Sequence, residues 1–249
     1  MFDPSLPADL FGNDFLIAGL AVLAASLIRG FSGFGSVLIT APMLSLVWGP
    51  TVGVPVAALL EIVPAIQMTP QAIRTAHWPT AWAMGLPAVV LLPVGSLVLL
   101  NAPAEEMRRV IAAIVLLLAI VMWIGWRYRG PRGLVPSGVV GALGGTLAGA
   151  TGMGGPPAIL YLMSGDNPAA DVRANMVAYF SIILVGVVIN FGFLGLITAE
   201  VIWRIALLVP IYVVGVVIGS KMFGLASERT FRNIALATLA ASSTWVLFA

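Results

Sequence analysis

Two glycine-rich stretches decide the fold of this chain, Gly30-Phe-Ser-Gly-Phe-Gly-Ser36 and Gly149-Ala-Thr-Gly-Met-Gly-Gly-Pro156. Each lies near the middle of an apolar stretch that is too long for one membrane span, residues 15–48 and 135–163. Glycine and proline interrupt helices, and a span needs about 20 residues. The pieces on either side, such as residues 36–48, are short by that measure. We therefore predict half-helices that meet inside the membrane.

The composition around these stretches is that of a membrane protein. Of 249 residues, 60% are hydrophobic and 9% are charged, and the mean hydropathy is +1.07. A soluble domain has about 25% charged residues, so much of the surface of this protein must contact lipid and not water. The formal charge of +2 is too small to indicate binding to nucleic acid. The absence of cysteine excludes disulfides and thiolate chemistry. The predicted class is an all-α polytopic membrane protein.

The two glycine-rich stretches belong to a duplicated unit. Sliding the sequence along itself lays one set of residues onto another: Gly30, Ser32, Gly33, Phe34 and Gly35 onto Gly149, Thr151, Gly152, Met153 and Gly154. A slightly larger shift lays Gly95-Ser96 onto Gly219-Ser220. Such self-similarity predicts two membrane repeats, residues 14–127 and 135–249, joined by a basic cytoplasmic linker at 128–134. Residues 1–13 contain no Lys or Arg and are predicted to be an extracytoplasmic N-terminus, not a signal peptide.

Basic residues predict how the repeats cross the membrane. If each broken segment is a re-entrant hairpin and three further helices cross once, most basic residues share one face: Arg74, Arg127, Arg129, Arg132, Arg173, Lys221, Arg229 and Arg232. Only Arg108, Arg109 and Arg204 lie on the other face. The positive-inside rule favours this arrangement over single crossings. It places both termini outside and makes the two repeats inverted.

Inverted repeats with a broken helix at matching positions indicate a secondary transporter. A helix that begins inside the membrane leaves its first N–H groups unpaired and carries partial positive charge. Two such ends facing each other would bind a small oxyanion, although the glycines could instead serve only close helix packing. For Gly141, Gly145 and Gly149, which are spaced four apart, packing is the better interpretation. The predicted binding residues are Arg29, Ser32, Gly33, Phe34, Gly35, Ser36, Thr151, Gly152, Met153, Gly154, Gly155 and Pro156.

The paired motifs resemble the duplicated glycine motif of the TauE/SafE sulfite exporter family of membrane permeases, over nearly the whole chain. Ser36, Val37 and Pro156 stand where the family commonly has glycine. The resemblance implies a transporter of the bacterial inner membrane. Its substrate would be a small sulfur-containing anion such as sulfite or an organosulfonate.

Other polar or gating roles are left open by the sequence. Glu61 lies within an apolar stretch and could couple transport to H⁺ or Na⁺, pair with Arg29, or face a water-filled cavity. Arg29 could bind the anion bidentately or only neutralise Glu61. Asn190 could line the pathway or bond across helices. Phe34 and Met153 could be gates or packing residues.

The sequence features bear on three classes of function: a secondary transporter, a passive channel and an intramembrane enzyme. A passive anion channel, or a permease for a small carboxylate, would share the same features as the sulfur-anion transporter. An enzyme is excluded, because one histidine, no cysteine and one central carboxylate supply neither a catalytic nor a metal-ligand cluster. No cofactor is expected, and the oligomeric state does not follow from the sequence.

Overall fold

The protein is described here from a computed structural model that covers residues 12–32, 35–124, 128–131, 133–164 and 168–222. Within these ranges the chain is helical and contains no strand. The helices are α1 (Asn13–Ser32), α2 (Ser36–Trp48), α3 (Pro50–Leu60), α4 (Ile62–Thr75), α5 (Trp78–Asn101), α6 (Ala104–Ile124), α7 (Leu134–Thr151), α8 (Gly155–Leu162), α9 (Ala169–Phe193) and α10 (Ala199–Met222). The predicted all-α class is confirmed.

Six stretches of the described chain are long and apolar enough to cross a membrane. They are Asn13–Gly30, Pro50–Pro70, Trp78–Asn101, Leu134–Thr151, Ala170–Phe193 and Ala199–Lys221. A helix of about 20 residues matches the thickness of the hydrocarbon core. The protein is therefore a polytopic membrane protein. The apolar sequence at residues 231–248 lies outside the described residues.

Both glycine-rich stretches interrupt the helix, as predicted. The helix α1 ends at Ser32 and α2 begins at Ser36, while α7 ends at Thr151 and α8 begins at Gly155. The second pieces are short: α2 has 13 residues and α8 has 8, which span about 20 Å and about 12 Å. The prediction of half-helices is wrong for the first pieces, since α1 and α7 have 20 and 18 residues. The helix α7 continues through Pro136 and the glycines that precede the motif, and several of those glycines pack against α5.

A one-residue interruption of the helix occurs within the candidate span Pro50–Pro70. The helix α3 ends at Leu60 and α4 begins at Ile62, with Glu61 in the turn between them. Pro64 has no N–H group to donate to the carbonyl of Leu60, so the regular hydrogen-bond ladder is interrupted there. The acidic residue thus lies at a helix joint.

The chain divides into two compact units. The first comprises residues up to Leu60, Ala102–Ile124 and the chain from Gly195 onward, and so contains α1, α2, α3, α6 and α10. Its most extensive helix contact joins α1 to α10, and α2 packs against α3 and α1. Leu44, Ile111 and Leu208 are fully buried in its core. The short helix α2 is therefore enclosed by other helices of its unit.

The second unit comprises Glu61–Asn101 and Gly125–Leu194, and contains α4, α5, α7, α8 and α9. Its most extensive contact joins α5 to α7, and α9 packs against α5 and α4. The short helix α8 contacts α7 and α9. Met84, Leu92 and Phe191 are fully buried in its core. Each unit thus combines helices from both halves of the sequence.

Equivalent glycines make the same kind of contact in the two units. A Cβ placed on Gly30 would lie 2.9 Å from the backbone nitrogen of Ser220 on α10, and one on Gly149 would lie 2.7 Å from that of Ser96 on α5. The sequence comparison had matched Gly30 with Gly149 and Ser96 with Ser220. This agreement favours the duplication. The inverted orientation of the repeats stays a prediction.

The glycine strip of α7 is a packing surface, as the sequence analysis favoured. Side chains at Gly141, Gly145 or Gly149 would overlap with backbone carbonyl oxygens of α5, those of Met84, Ala88 and Leu92 respectively. Small residues at this spacing let two helix backbones approach closely in a membrane. This close approach fixes α5 against the helix that leads into the second glycine motif.

Candidate functional site

At the second break, residues 151–155, α7 ends with hydrogen bonds between its last turn and the residues that follow it. Gly152 adopts the left-handed conformation, with φ 75° and ψ −5°, and its N–H donates to the carbonyl oxygen of Ala148. The hydroxyl of Thr151 donates to the Leu147 carbonyl oxygen at 2.7 Å and accepts from the N–H of Met153 at 3.3 Å. The proton of the Thr151 hydroxyl is therefore held by α7 and is not directed at a ligand.

The start of α8 has few amide donors, and these are the groups a bound anion could use. Pro156 and Pro157 occupy the first turn and have no N–H. Among the described residues, none accepts a hydrogen bond from the amide of Gly154 or Gly155. The positive end of the helix dipole adds to the attraction for an anion at this point. The start of α8 therefore lacks the two amides that other residues at positions 156 and 157 would supply.

The helix α9 covers the second break with three side chains. The hydroxyl of Tyr179 donates to the carbonyl oxygen of Gly154 at 3.2 Å. A Cβ on Gly154 would lie 3.3 Å from Cδ1 of Ile183, and one on Gly155 would lie 3.1 Å from the ring of Phe180. Tyr179 is fully buried. The sequence analysis missed it, although a tyrosine inside an apolar stretch is a usable signal because a buried hydroxyl needs a partner.

The predicted binding residues of this break are brought together along the chain, but not all of them are accessible. Thr151 is fully buried and Met153 is 1% exposed. Gly154 and Pro156 are also buried, whereas Gly152 and Gly155 are partly exposed. The gating role of Met153 stays a prediction.

The first break, between α1 and α2, is capped by a glycine in a similar conformation. Gly35 has φ 94° and ψ −2° and precedes the first residue of α2. Ser36 is fully buried, and its hydroxyl accepts from the hydroxyl of Tyr212 on α10 at 3.2 Å. The Thr40 hydroxyl donates to the Ser36 carbonyl oxygen at 3.2 Å. In each unit a buried tyrosine thus reaches the broken segment.

Part of the first break lies outside the described residues. Gly33, Phe34 and the side chain of Ser32 lie outside the described residues. Arg29 lies in the last turn of α1 and is partly exposed. A cation there complements the negative end of the helix dipole. Its predicted contact with an anion stays a prediction.

Two arginines hold the far end of α2. The Nε of Arg108 on α6 donates to the carbonyl oxygen of Ser45 at 3.0 Å. The guanidinium carbon of Arg204 on α10 lies 4.2 Å from the centre of the Trp48 ring, and Arg204 also pairs with Glu200. Both cations complement the carbonyl end of the short helix.

The remaining predicted polar residues have different surroundings. Glu61, the coupling candidate, is partly exposed at the joint between α3 and α4. Asn190 donates from Nδ2 to the hydroxyl of Ser96 at 2.7 Å, and the Ser96 hydroxyl has two acceptors, the carbonyl oxygens of Leu92 at 3.2 Å and Gly149 at 3.3 Å. The amide of Asn190 therefore bonds across helices, which was the structural alternative. This chain of hydrogen bonds supports the end of α7.

Another contact was missed because its partners are far apart in sequence. The Oδ1 of Asn175 accepts from the backbone N–H of His77 at 2.7 Å, and Asn175 is only 6% exposed. It therefore holds the start of α5 against α9.

Long apolar helices, two of them ending at the glycine motifs, define a multi-pass membrane protein. The sequence matches the family profile "Sulfite exporter TauE/SafE" over residues 17–246. This chain belongs to that family, whose members are transporters and not enzymes. Neither curated proteins nor solved structures gave a match to the chain.

Proposed function

We propose that this protein is a secondary transporter that carries a small sulfur-containing oxyanion, such as sulfite or an organosulfonate, across the bacterial inner membrane. Membership of the family supports an anion as substrate. The observation that carries the proposal is the second break, where the Gly154 and Gly155 amides have no acceptor among the described residues. In a membrane, backbone without such partners is tolerated only where it is buried in protein or lines a cavity.

The broken helices offer a site for an oxyanion because their donors are backbone amides with fixed directions. Such amides favour negative charge without requiring a buried lysine or arginine. A sulfonate or sulfite presents three oxygens, so the neighbouring amides of Gly154 and Gly155 can bind different oxygens of one anion. The first break, with Gly35 and Ser36, is the equivalent element of the other unit.

Coupling to an ion gradient is assigned to Glu61. A carboxylate within an apolar stretch is expensive and marks an ion or proton pathway by default. Its place at a helix joint and its partial exposure are consistent with access for H⁺ or Na⁺. Arg29, at the end of α1, would attract the anion to the first break.

A flux assay tests this function directly. Purified protein in proteoliposomes should take up sulfite and methanesulfonate with saturable kinetics, and acetate much more slowly. Saturation distinguishes a carrier from a passive channel, and dependence of the rate on a pH or Na⁺ gradient identifies the coupling ion. Liposomes without protein are the control. Preference for acetate would favour the carboxylate permease, and unsaturated flux would favour the channel.

The proposed orientation places both termini outside and the linker at residues 128–134 in the cytoplasm. The chain has no cysteine, so single cysteines report positions without background. We expect Ala102→Cys to react with a membrane-impermeant maleimide in intact cells and Gly130→Cys to react only after permeabilisation. The physical reason is the excess of arginine in the linker. The reverse pattern would contradict the proposed orientation.

A further inference from the structure

We infer that Tyr179 is a positioning residue for anion binding. Its hydroxyl donates to the Gly154 carbonyl oxygen and thereby orients the N–H of Gly155, so that this N–H points outward from the first turn of α8. This inference rests on the proposed function and concerns the second break. Tyr179 itself would not touch the anion. Its effect would be exerted through one peptide group.

The hydroxyl of Tyr179 is held firmly in place. It is fully buried and donates to the Gly154 carbonyl oxygen at 3.2 Å. Gly144 of α7 lies beside this hydrogen bond: any Cβ there would overlap with the Tyr179 hydroxyl and would lie 2.9 Å from the Gly154 oxygen. A tyrosine hydroxyl therefore fits between α7 and the break only because residue 144 has no side chain.

The hydrogen-bonded carbonyl and the candidate donor belong to the same peptide group. The peptide that joins Gly154 to Gly155 contributes the C=O of the first and the N–H of the second. No cis peptide occurs among the described residues, so in this planar trans group the N–H points opposite to the C=O. A hydrogen bond that fixes the oxygen therefore fixes the direction of the Gly155 N–H.

This direction matters because donors are scarce at this helix start. The next two residues, Pro156 and Pro157, supply no N–H. A helix with ordinary residues there could compensate for one misdirected amide with its neighbours. Here two neighbouring positions supply no amide, so loss of alignment of the Gly155 amide should reduce affinity measurably.

The neighbouring side chains control position and leave orientation to the tyrosine. Phe180 lies against Gly155 and Ile183 against Gly154, at 3.1 Å and 3.3 Å from the Cβ positions. These apolar contacts are steric and offer no hydrogen bond to the peptide group that joins Gly154 and Gly155. The hydrogen bond from Tyr179 is the directional contact.

The test compares Tyr179→Phe with Tyr161→Phe. Tyr161 is a matched control: it is 4% exposed, lies in the same unit, and exchanges a hydrogen bond with the Ser137 hydroxyl at 3.1 Å. Each variant keeps its ring and loses one buried hydroxyl. Dissociation constants for sulfite and methanesulfonate should be measured on purified protein, together with maximal transport rate and thermal unfolding.

We expect Tyr179→Phe to weaken binding of both anions roughly threefold to tenfold, the factor one neutral hydrogen bond contributes, with the maximal rate within about twofold of wild type. Tyr161→Phe should bind as wild type. Unchanged affinity in Tyr179→Phe, or equal losses in both variants, would overturn the inference. If the wild-type protein binds neither anion, the proposed function fails, which is a distinguishable result.

Discussion

Replacing Gly154 with leucine is expected to abolish anion transport while the protein still inserts into the membrane. A Cβ at this position would lie 3.0 Å from the Cβ of Ala148 and 3.1 Å from the carbonyl oxygen of Gly144. A leucine side chain extends well beyond its Cβ, so the start of α8 must move and the two amides must lose their alignment. The initial rate of sulfite uptake into proteoliposomes measures the loss.

The matched control is Gly192→Leu in the same unit. Gly192 is exposed on α9, and nothing lies within 4 Å of the Cβ that would be added there. We expect wild-type uptake and wild-type yield in the membrane fraction for this variant. If the Gly154→Leu protein is monodisperse and transports with normal affinity, the anion must bind elsewhere.

The second large effect concerns stability. Gly145→Ala should lower the midpoint of thermal unfolding by about 4–10 °C, since overpacking of a close contact costs about 1–3 kcal/mol. The added Cβ would overlap with the Ala88 carbonyl oxygen and would lie 2.5 Å from its carbon. These are backbone atoms of α5 and cannot rotate away, so α5 and α7 must separate. Thermal unfolding of the purified protein, followed by light scattering or fluorescence, measures the change.

Gly138→Ala on the same helix provides the comparison. A Cβ at Gly138 would lie 3.8 Å from Cγ of Pro87 and 3.9 Å from the carbonyl oxygen of Ala83, which are ordinary van der Waals contacts. We expect an unchanged or slightly raised midpoint, because alanine favours a helix over glycine by up to about 1 kcal/mol. Equal effects at both positions would contradict the assignment of the glycine strip to helix packing.

Much of the architecture could be predicted from local features of the sequence. Composition alone required a membrane, and the glycine motifs marked both helix breaks, at Ser32 to Ser36 and at Thr151 to Gly155. The four-residue spacing of Gly141, Gly145 and Gly149 indicated helix packing, which the contacts with α5 confirm. These features depend on short-range physics: transfer to lipid, backbone freedom and helical periodicity.

The candidate site was predicted less completely. The chain segments were identified, but Tyr179 and Tyr212, which bond to them, were not. The Thr151 hydroxyl was predicted to face the anion, whereas it donates to its own helix. A hydroxyl near a helix end has several acceptors within reach, and sequence does not choose among them. The length of α1 and α7 was also underestimated.

By itself, the sequence determined that the protein lies in a membrane, that it is helical, where its two glycine motifs interrupt the helices, and which family it resembles. These features follow from composition and from short local patterns of residues. Only the tertiary structure decided which helices pack together. In one compact unit α10 packs against α1, and in the other α5 packs against α7, so each pair combines helices from both halves of the chain. It also decided which tyrosine reaches each break. Such choices depend on contacts between residues far apart in sequence. Whether two helix surfaces fit together is a property of the pair and does not follow from the sequence of either helix alone.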